Sequence, residues 1–188
     1  MTALPTSRDP TPDPAADRLA LPPGADCDPA FARLHAYWRA KCRPDGSGAW
    51  RLPARNDIDP LDIPRDLLPG IVLLGLEMQD GRRRFRLRLF GSDLEAMTGS
   101  NETGRYYDEV TDQPGLYDQI DALLGTLIAE RRPIFLAAPS GADGRGFLWF
   151  GRLALPLASD GRQVDMILGL VRPLPARPED TPPAAGAA

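Results

Sequence analysis

The sequence has few of the residues that metal and catalytic sites commonly use. Its 188 residues include two cysteines and one histidine, and neither a CxxC pair nor a Cys/His cluster occurs. Clusters of that kind are the usual ligand sets for structural zinc. A catalytic triad needs a histidine beside a nucleophile and a carboxylate. We therefore expect neither a zinc site nor a triad enzyme.

Long apolar segments are also missing. No run approaches the roughly 20 residues needed to cross a bilayer. The N-terminus lacks the basic start and apolar core of a secretory signal. The formal net charge of −4 gives no general attraction to nucleic acid or anionic lipid. We expect a cytoplasmic protein that binds neither nucleic acid nor membrane.

The few cysteine and histidine residues all lie near one predicted helix. Cys27 and Cys42 flank it, and a helix of that length holds its ends too far apart for a disulfide. His35 lies within it, where a packing or surface role is favoured over catalysis or haem ligation. The sequence also lacks GxGxxG and Walker-type loops, and the glycine-rich "GADGRG" joins two predicted strands.

Composition divides the chain into one domain and two tails. Residues 1–24 and 173–188 are rich in Pro, Ala, Asp and Thr, and we expect both to be disordered. The folded domain is predicted over residues 28–172, with a leading helix at 28–43 and a core over about 50–172. Asp28 and Pro29 suit the start of that helix. Its apolar stripe comprises Phe31, Leu34, Tyr37, Trp38 and Cys42.

The segment "DIDPLDIPRDLLP", residues 57–69, is rich in turn and cap residues and directly precedes a predicted strand. Short helical turns and a Pro69-Gly70 turn are expected there. Compatible prolines reduce the freedom of the unfolded chain, so we interpret the segment as a rigid lead-in. Cation binding by Asp57, Asp59 and Asp62 is a less favoured alternative, because two of them precede helical turns and can cap them.

Strands and helices follow in a recognisable order. Residues 71–78 predict a strand buried on both faces, and Asp80-Gly81 predicts a hairpin. A capping box, Ser92 with Glu95, opens a helix that ends at Gly99. The longest helical pattern covers 114–131, and three more strands follow, with Pro156 indicating a bulge or edge position. This order predicts an α+β fold: a five-stranded antiparallel sheet with helices over one face, plus the leading helix.

Several separate segments of the sequence strengthen this interpretation. "LPARNDIDPLDIPRDLLPGIVLLGLE", "FRLRLFGSDLEAMTG", "TGRYYDE", "RRPIF" and "LALPLASDGRQVDMILGL" occur in this order. Together they resemble a bacterial PAS-like family, common in alphaproteobacteria and often found as a short stand-alone protein. The resemblance covers about residues 38–171 and implies a PAS fold with a sensory or signalling role. Flavin-binding relatives carry a cysteine on the helical block, which this chain lacks, so covalent flavin photochemistry is not expected.

The resemblance also implies a place for a small ligand, on the apolar side of the sheet beneath the helices. A fully packed core is an equal alternative, because aromatic and methionine side chains fill cores as readily as they line pockets. The identity of any ligand or cofactor stays open. The candidate pocket residues are Phe85, Leu87, Leu89, Met97, Phe135, Trp149, Met166 and Leu168.

The opposite face of the second strand carries Arg84, Arg86 and Arg88. A solvated face with partners such as Glu77 or Asp165 is favoured. An interaction surface, covered by the leading helix or a second subunit, comes next, and nucleic-acid binding is least favoured.

The leading hypothesis is a non-catalytic sensory domain that binds a ligand or a signalling partner and acts through surface contacts. A homodimer is expected, with Phe31, Leu34, Trp38 and the three arginines as candidate interface. An acidic residue at position 38 should then lower the mass in solution. The alternatives are a ligand-free interaction adaptor and, less favoured, a small isomerase with a carboxylate on the apolar face.

Overall fold

The computed structural model describes residues 18–110, 114–140 and 148–175 of the chain. The leading helix is α1 (Pro29–Lys41), and Asp28 caps it by accepting a hydrogen bond from the Ala30 amide at 2.8 Å. A short ribbon of β1 (Arg43–Pro44) and β2 (Trp50–Arg51) follows it. The lead-in segment then runs to β3 through 3₁₀ turns at Arg55–Asp57 and Leu68–Gly70.

Five strands form the main sheet, and all of their pairings are antiparallel. They occur in the spatial order β4-β3-β7-β6-β5. Among the described residues, three helices lie between β4 and β5 along the chain. The strands are β3 (Ile71–Gln79), β4 (Arg82–Phe90), β5 (Ile134–Ser140), β6 (Leu148–Leu157) and β7 (Met166–Leu174), and the helices are α2 (Ser92–Thr98), α3 (Tyr107–Val110) and α4 (Pro114–Glu130).

Helices lie on both faces of this sheet. Because side chains alternate along a strand, the register assigns each strand residue to one face. The inner face packs against α2, α3 and α4, and it includes Leu87, Leu136, Arg152 and Gly169. The outer face packs against α1 over β5, β6 and β7. There Phe31 meets Gly151 and the ring of Phe135, whose centroid is 5.1 Å away.

Most turn predictions are confirmed by the backbone. Asp80 and Gly81 have φ values of 51° and 73°, the pair of positive angles that a two-residue type I′ hairpin requires. Gly99 ends α2 in the left-handed conformation, with φ of 78°. Pro156 lies beyond the last residue of β6 that pairs with β5, so its backbone occupies a local edge of the sheet, although the residue itself is buried.

Two local predictions differ from the structure. The first residue of α2 is Ser92 and its cap is Gly91, which has no side chain, so the Ser92–Glu95 capping box does not form. The packed chain also begins earlier than composition suggests, because Leu19 is 2% exposed and its carbonyl lies 2.9 Å from Nε2 of His35. The remaining tail residues, 1–17 and 176–188, lie outside the described residues.

Neither cysteine forms a disulfide. Cys27 is exposed, whereas Cys42 is buried behind α1, with its sulfur 3.6 Å from the Trp38 carbonyl. Burial raises the pKa of the Cys42 thiol to about 12, so this thiol stays protonated at neutral pH. Cys42 therefore serves as a small apolar residue of the outer layer.

Candidate functional site: a cavity on the inner face of the sheet

A cavity of about 230 Å³ lies between the inner face of the sheet and the helices. Its floor is open because two small residues, Ala154 on β6 and Gly169 on β7, lie directly opposite each other in the sheet. A β-carbon added at Gly169 would meet its nearest neighbours at 3.5–3.6 Å, which is ordinary van der Waals contact. Larger side chains at these two positions would therefore project into the cavity and reduce its volume.

The walls of the cavity are mostly apolar. Helix α4 contributes its buried stripe from one side, and α2 contributes Met97, which is 48% exposed and so lies at an opening to solvent. An apolar recess with few polar groups is the usual form of a small-molecule site. The apolar lining comprises Val72, Leu74, Leu87, Phe90, Leu94, Met97, Val110, Ile120, Leu123, Leu124, Ile134, Leu136, Leu153, Ala154, Ile167 and Val171.

Arg152 brings a positive charge to this apolar lining. It lies on β6 between Leu136 of β5 and Val171 of β7, and its side chain is half-buried. Its Nη1 donates to the carbonyls of Phe150 at 3.2 Å and Ala138 at 3.4 Å. Burial lowers the pKa of Arg152, because a guanidinium loses hydration when apolar groups surround it.

Glu102 is the acidic residue of the lining, and it is 7% exposed. Ser100 donates a hydrogen bond to one of its oxygens, and Arg105 pairs with the other at 2.6 Å. These bonds hold the pKa of Glu102 below its usual range. An efficient general base has a pKa near the working pH, so Glu102 is better suited to holding the loop before α3 than to abstracting protons.

Two of the eight predicted pocket residues, Leu87 and Met97, line the cavity. Phe85 lies on the same face but is buried outside the lining, with the Arg83 guanidinium 5.5 Å from its ring centroid. The register places the remaining five on the outer face: Leu89, Phe135, Trp149, Met166 and Leu168. For Leu89 the cause is a bulge, because the pairing shifts between Leu73 and Leu74 and puts Leu89 beside Leu73.

Sequence reasoning missed the polar residues and the small floor residues of the cavity. Nothing local distinguishes Arg152 from an ordinary surface arginine on an alternating strand. The sequence does contain one signal for the floor: Ala154 and Gly169 are small residues in two strands of otherwise large side chains. Recognising that they face each other requires the register of β6 against β7, which alternation alone does not provide.

The arginine row on β4 is largely paired within the chain. Arg84 pairs with Asp108 at 2.8 Å and Glu109 at 2.7 Å, and it stacks on the Tyr106 ring. Arg88 pairs with Glu77 at 2.7 Å, which confirms one of the expected cross-strand partners. The other candidate, Asp165, instead accepts a hydrogen bond from the Ser159 amide. This carboxylate pairing reduces the positive field of the row.

The three apolar residues of the candidate interface are buried within the chain itself. Phe31, Leu34 and Trp38 are each 0% exposed, and the Trp38 indole donates to the Pro156 carbonyl at 2.9 Å. A dimer that used these side chains would require α1 to leave the sheet. Arg86 and Arg88 keep 41% and 47% of their side-chain surface exposed, so they are accessible to a partner.

The acidic residues of the lead-in segment each have a partner. Asp57 accepts from the Ala54 amide at 2.8 Å, Asp59 accepts from the Leu61 amide at 2.9 Å, and Asp62 pairs with Lys41 at 3.1 Å. Within residues 18–110, 114–140 and 148–175, no group of three or more His, Cys, Asp or Glu side chains could hold a metal ion. In the same ranges, no helix is long and apolar enough to span a membrane.

The sheet order, the helical block after the second strand and the inner cavity together define the class. Residues 27–172 match the sequence profile of the PAS domain, which covers most of the chain. The chain therefore belongs to the PAS domain family, a class of sensory and signalling modules. Comparison with curated proteins gave no match.

Solved structures with a similar fold include other PAS and LOV domains. The PAS domain of BvgS from Bordetella pertussis is 20% identical, with a TM-score of 0.47, over 65% of this chain and 91% of that chain. The Rhodobacter sphaeroides LOV protein is 14% identical, with a TM-score of 0.44, over 61% and 66%. The PAS domain of the histidine kinase ThkA is 16% identical, with a TM-score of 0.37, over 54% and 95%.

Proposed function

We propose that this PAS domain is a non-catalytic sensor that binds a small ligand in the inner cavity. It passes the change to a partner protein through surface contacts. The observation that carries this proposal is the cavity of about 230 Å³ beneath α4, which leaves the inner layer incompletely filled. Protein interiors are otherwise close-packed, and an unfilled apolar space costs van der Waals contacts. A ligand that fills the space would recover them.

The cavity also gives the ligand a way to change the protein. Its lining includes residues of α2, α3, α4 and all five strands of the main sheet, so a bound molecule contacts both layers at once. A ligand that binds one arrangement of helices and sheet more tightly than another shifts the population toward it. The exposed arginines of β4, Arg86 and Arg88, offer a surface on which a signalling partner or a second copy would detect such a shift.

Native mass spectrometry tests this function directly. Protein purified under gentle conditions should carry a reproducible added mass that is lost on denaturation. Ala154→Val should reduce that adduct, because it fills the floor of the cavity. Ala137→Val, the same enlargement outside the cavity lining on β5, is the matched control and should leave the adduct in place.

Two results would count against ligand sensing. Repeated absence of any adduct, across preparations and after incubation with cell metabolites, would favour the interaction adaptor without a ligand. Equal loss of adduct in both alanine variants would indicate general destabilisation and not cavity filling. The hydrogen bonds from Ser100 and Arg105, and the lowered pKa of Glu102 that they cause, disfavour an isomerase that would use this carboxylate as its base.

A further inference from the structure

The charge balance of the cavity points to a chemical class of ligand. Three partly buried arginines each have a carboxylate partner: Arg83 with Asp121 at 3.3 Å, Arg84 with Asp108 at 2.8 Å, and Arg172 with Asp28 at 3.2 Å. Arg131 donates to two backbone carbonyls instead, but it lies outside the lining of the inner cavity. Within the part of the chain that the structure describes, Arg152 has no carboxylate partner. A buried charge is costly unless it is paired and hydrogen-bonded.

Arg152 also has unused hydrogen-bonding capacity. A guanidinium carries five N–H donors in a fixed fork. The two backbone contacts of Arg152, at 3.2 and 3.4 Å, both use Nη1. In the described residues Nε and Nη2 donate to no protein group, and the side chain lines the cavity. Its donors are therefore available to a molecule inside the cavity.

The other charged side chain in the lining does not compete for this role. The carboxylate of Glu102 is engaged by Ser100 and by Arg105 at 2.6 Å. Its negative charge is thus balanced locally, and an anion elsewhere in the cavity meets one charged partner, Arg152. The remaining walls are almost entirely apolar.

We propose that the cavity selects an organic anion, whose carboxylate pairs with Arg152 and whose apolar body lies between α4 and the Ala154–Gly169 floor. The proposal rests on the proposed ligand-sensing function and specifies the chemistry of that ligand. A planar carboxylate matches the guanidinium fork, and bidentate pairs of this kind are the stronger hydrogen bonds in proteins. Neutral molecules of the same shape would leave Arg152 without a counter-ion.

The test uses two matched pairs of probes with the full chain: octanoate with octan-1-ol, and phenylacetate with 2-phenylethanol. Affinity is measured by calorimetry and by the shift in Tm. In the natural protein each carboxylate should bind more tightly than its alcohol. Arg152→Met should weaken carboxylate binding by about 10- to 100-fold and leave alcohol binding unchanged or stronger. Arg132→Met, which alters an exposed arginine paired with Glu130, is the control and should change neither.

A second measurement separates an anion anchor from a purely structural arginine. Without ligand, Arg152→Met should leave Tm unchanged or raise it, since removal of the uncompensated charge offsets the loss of two long hydrogen bonds to the Ala138 and Phe150 carbonyls. A fall in Tm of more than about 4 °C would show that Arg152 has a stabilising partner within the chain, and would overturn the proposal.

The outcomes distinguish this proposal from the function on which it rests. Equal binding of acid and alcohol, or carboxylate binding that survives Arg152→Met, overturns the anion class but leaves ligand sensing intact. A native adduct identified as a neutral molecule does the same. If none of the four probes binds and no adduct is found, both proposals fall.

Discussion

At the scale of single residues, Trp38 joins the leading helix to the sheet. It is fully buried, and its indole N–H donates to the carbonyl of Pro156. Pro156 has no pairing partner on β5. A large buried aromatic with a satisfied polar atom contributes both area and one specific hydrogen bond. The residue is therefore an anchor of α1 and a poor candidate for direct contact between subunits.

Replacing Trp38 with phenylalanine should lower the free energy of unfolding by about 1–3 kcal/mol, because the Pro156 carbonyl loses its donor. Trp38→Asp should prevent stable packing of α1 and not simply lower the mass in solution. Urea denaturation measures the first effect. Trp50→Phe, at a half-buried tryptophan on β2, is the control and should cost less. Equal losses for the two variants would contradict the anchoring role.

The pocket shows how far single residues can be predicted from sequence. Leu87 and Met97 line the cavity, as alternation on one strand and the position of one helix indicate. Phe135, Trp149 and Leu168 were assigned by apolar character, which fits either face of a sheet covered on both sides. The position of Arg152 in the cavity lining was not predicted, because a charged residue on an alternating strand is expected to face solvent.

At the scale of elements, the β3–β4 hairpin depends on its turn. Gly81 has a φ of 73°, and no atom lies within 4 Å of the place where a β-carbon would be. A larger residue there would therefore lose stability only through its unfavourable positive φ. Gly81→Ala should lower the free energy of unfolding by about 1 kcal/mol. Gly115→Ala, in α4 and equally unobstructed, should instead raise it by about 0.4–1 kcal/mol. Thermal unfolding should show a lower Tm for Gly81→Ala and a higher Tm for Gly115→Ala. A change of Tm in the same direction for both variants would contradict this prediction.

The contact between α1 and the N-terminal segment should depend on pH. Burial is the main cause that lowers the pKa of His35, and Arg39 adds a smaller repulsion. The folded state therefore binds fewer protons than the unfolded state, whose histidine pKa is about 6.5. The contribution of His35 to stability is fully present above that pH and is lost as the pH falls toward the lower folded value.

Hydrogen exchange tests this dependence. After correction for intrinsic rates, the amides of the non-proline residues in the segment, 18–21 and 24, should exchange faster at pH 5 than at pH 7. His35→Gln keeps a donor for the Leu19 carbonyl but does not titrate, so it should remove the difference. Retention of the difference in that variant would assign the effect to another group.

Element order was predictable because its signals are local. Hairpin geometry follows from Asp80-Gly81, the end of α2 from Gly99, and the length of α4 from the spacing of its apolar residues. The capping box failed because Ser92 and Gly91 are both acceptable caps, and the backbone used the residue before the serine. The contribution of Leu19 was not predicted because the residue lies in a segment rich in Pro, Ala and Asp.

At the scale of the whole molecule, the expected homodimer stays a prediction, with its interface narrowed to the exposed arginines of β4. Light scattering should give a mass near twice the 20.4 kDa of one chain. Arg86→Glu should lower it, since the variant places a negative charge beside Glu77. Arg65→Glu, at an exposed position of the lead-in segment, is the control.

A mass of one chain at all concentrations would exclude the homodimer. An unchanged dimer in Arg86→Glu would keep the dimer but exclude the arginine row as its interface. Either result leaves the cavity and its ligand chemistry unaffected, because the cavity is lined from a single chain.

Strand β6 connects the two layers through one stretch of backbone. Arg152 and Ala154 face the cavity, whereas Gly151, which directly precedes Arg152 on β6, packs against α1. A β-carbon at Gly151 would come within 2.6 Å of the Phe31 ring, so no slack exists on that side. A bound ligand that displaces Arg152 would also displace the adjacent Gly151 backbone toward the Phe31 ring. If the proposed ligand binds, β6 would therefore couple the cavity on one face of the sheet to α1 on the other, through two adjacent residues.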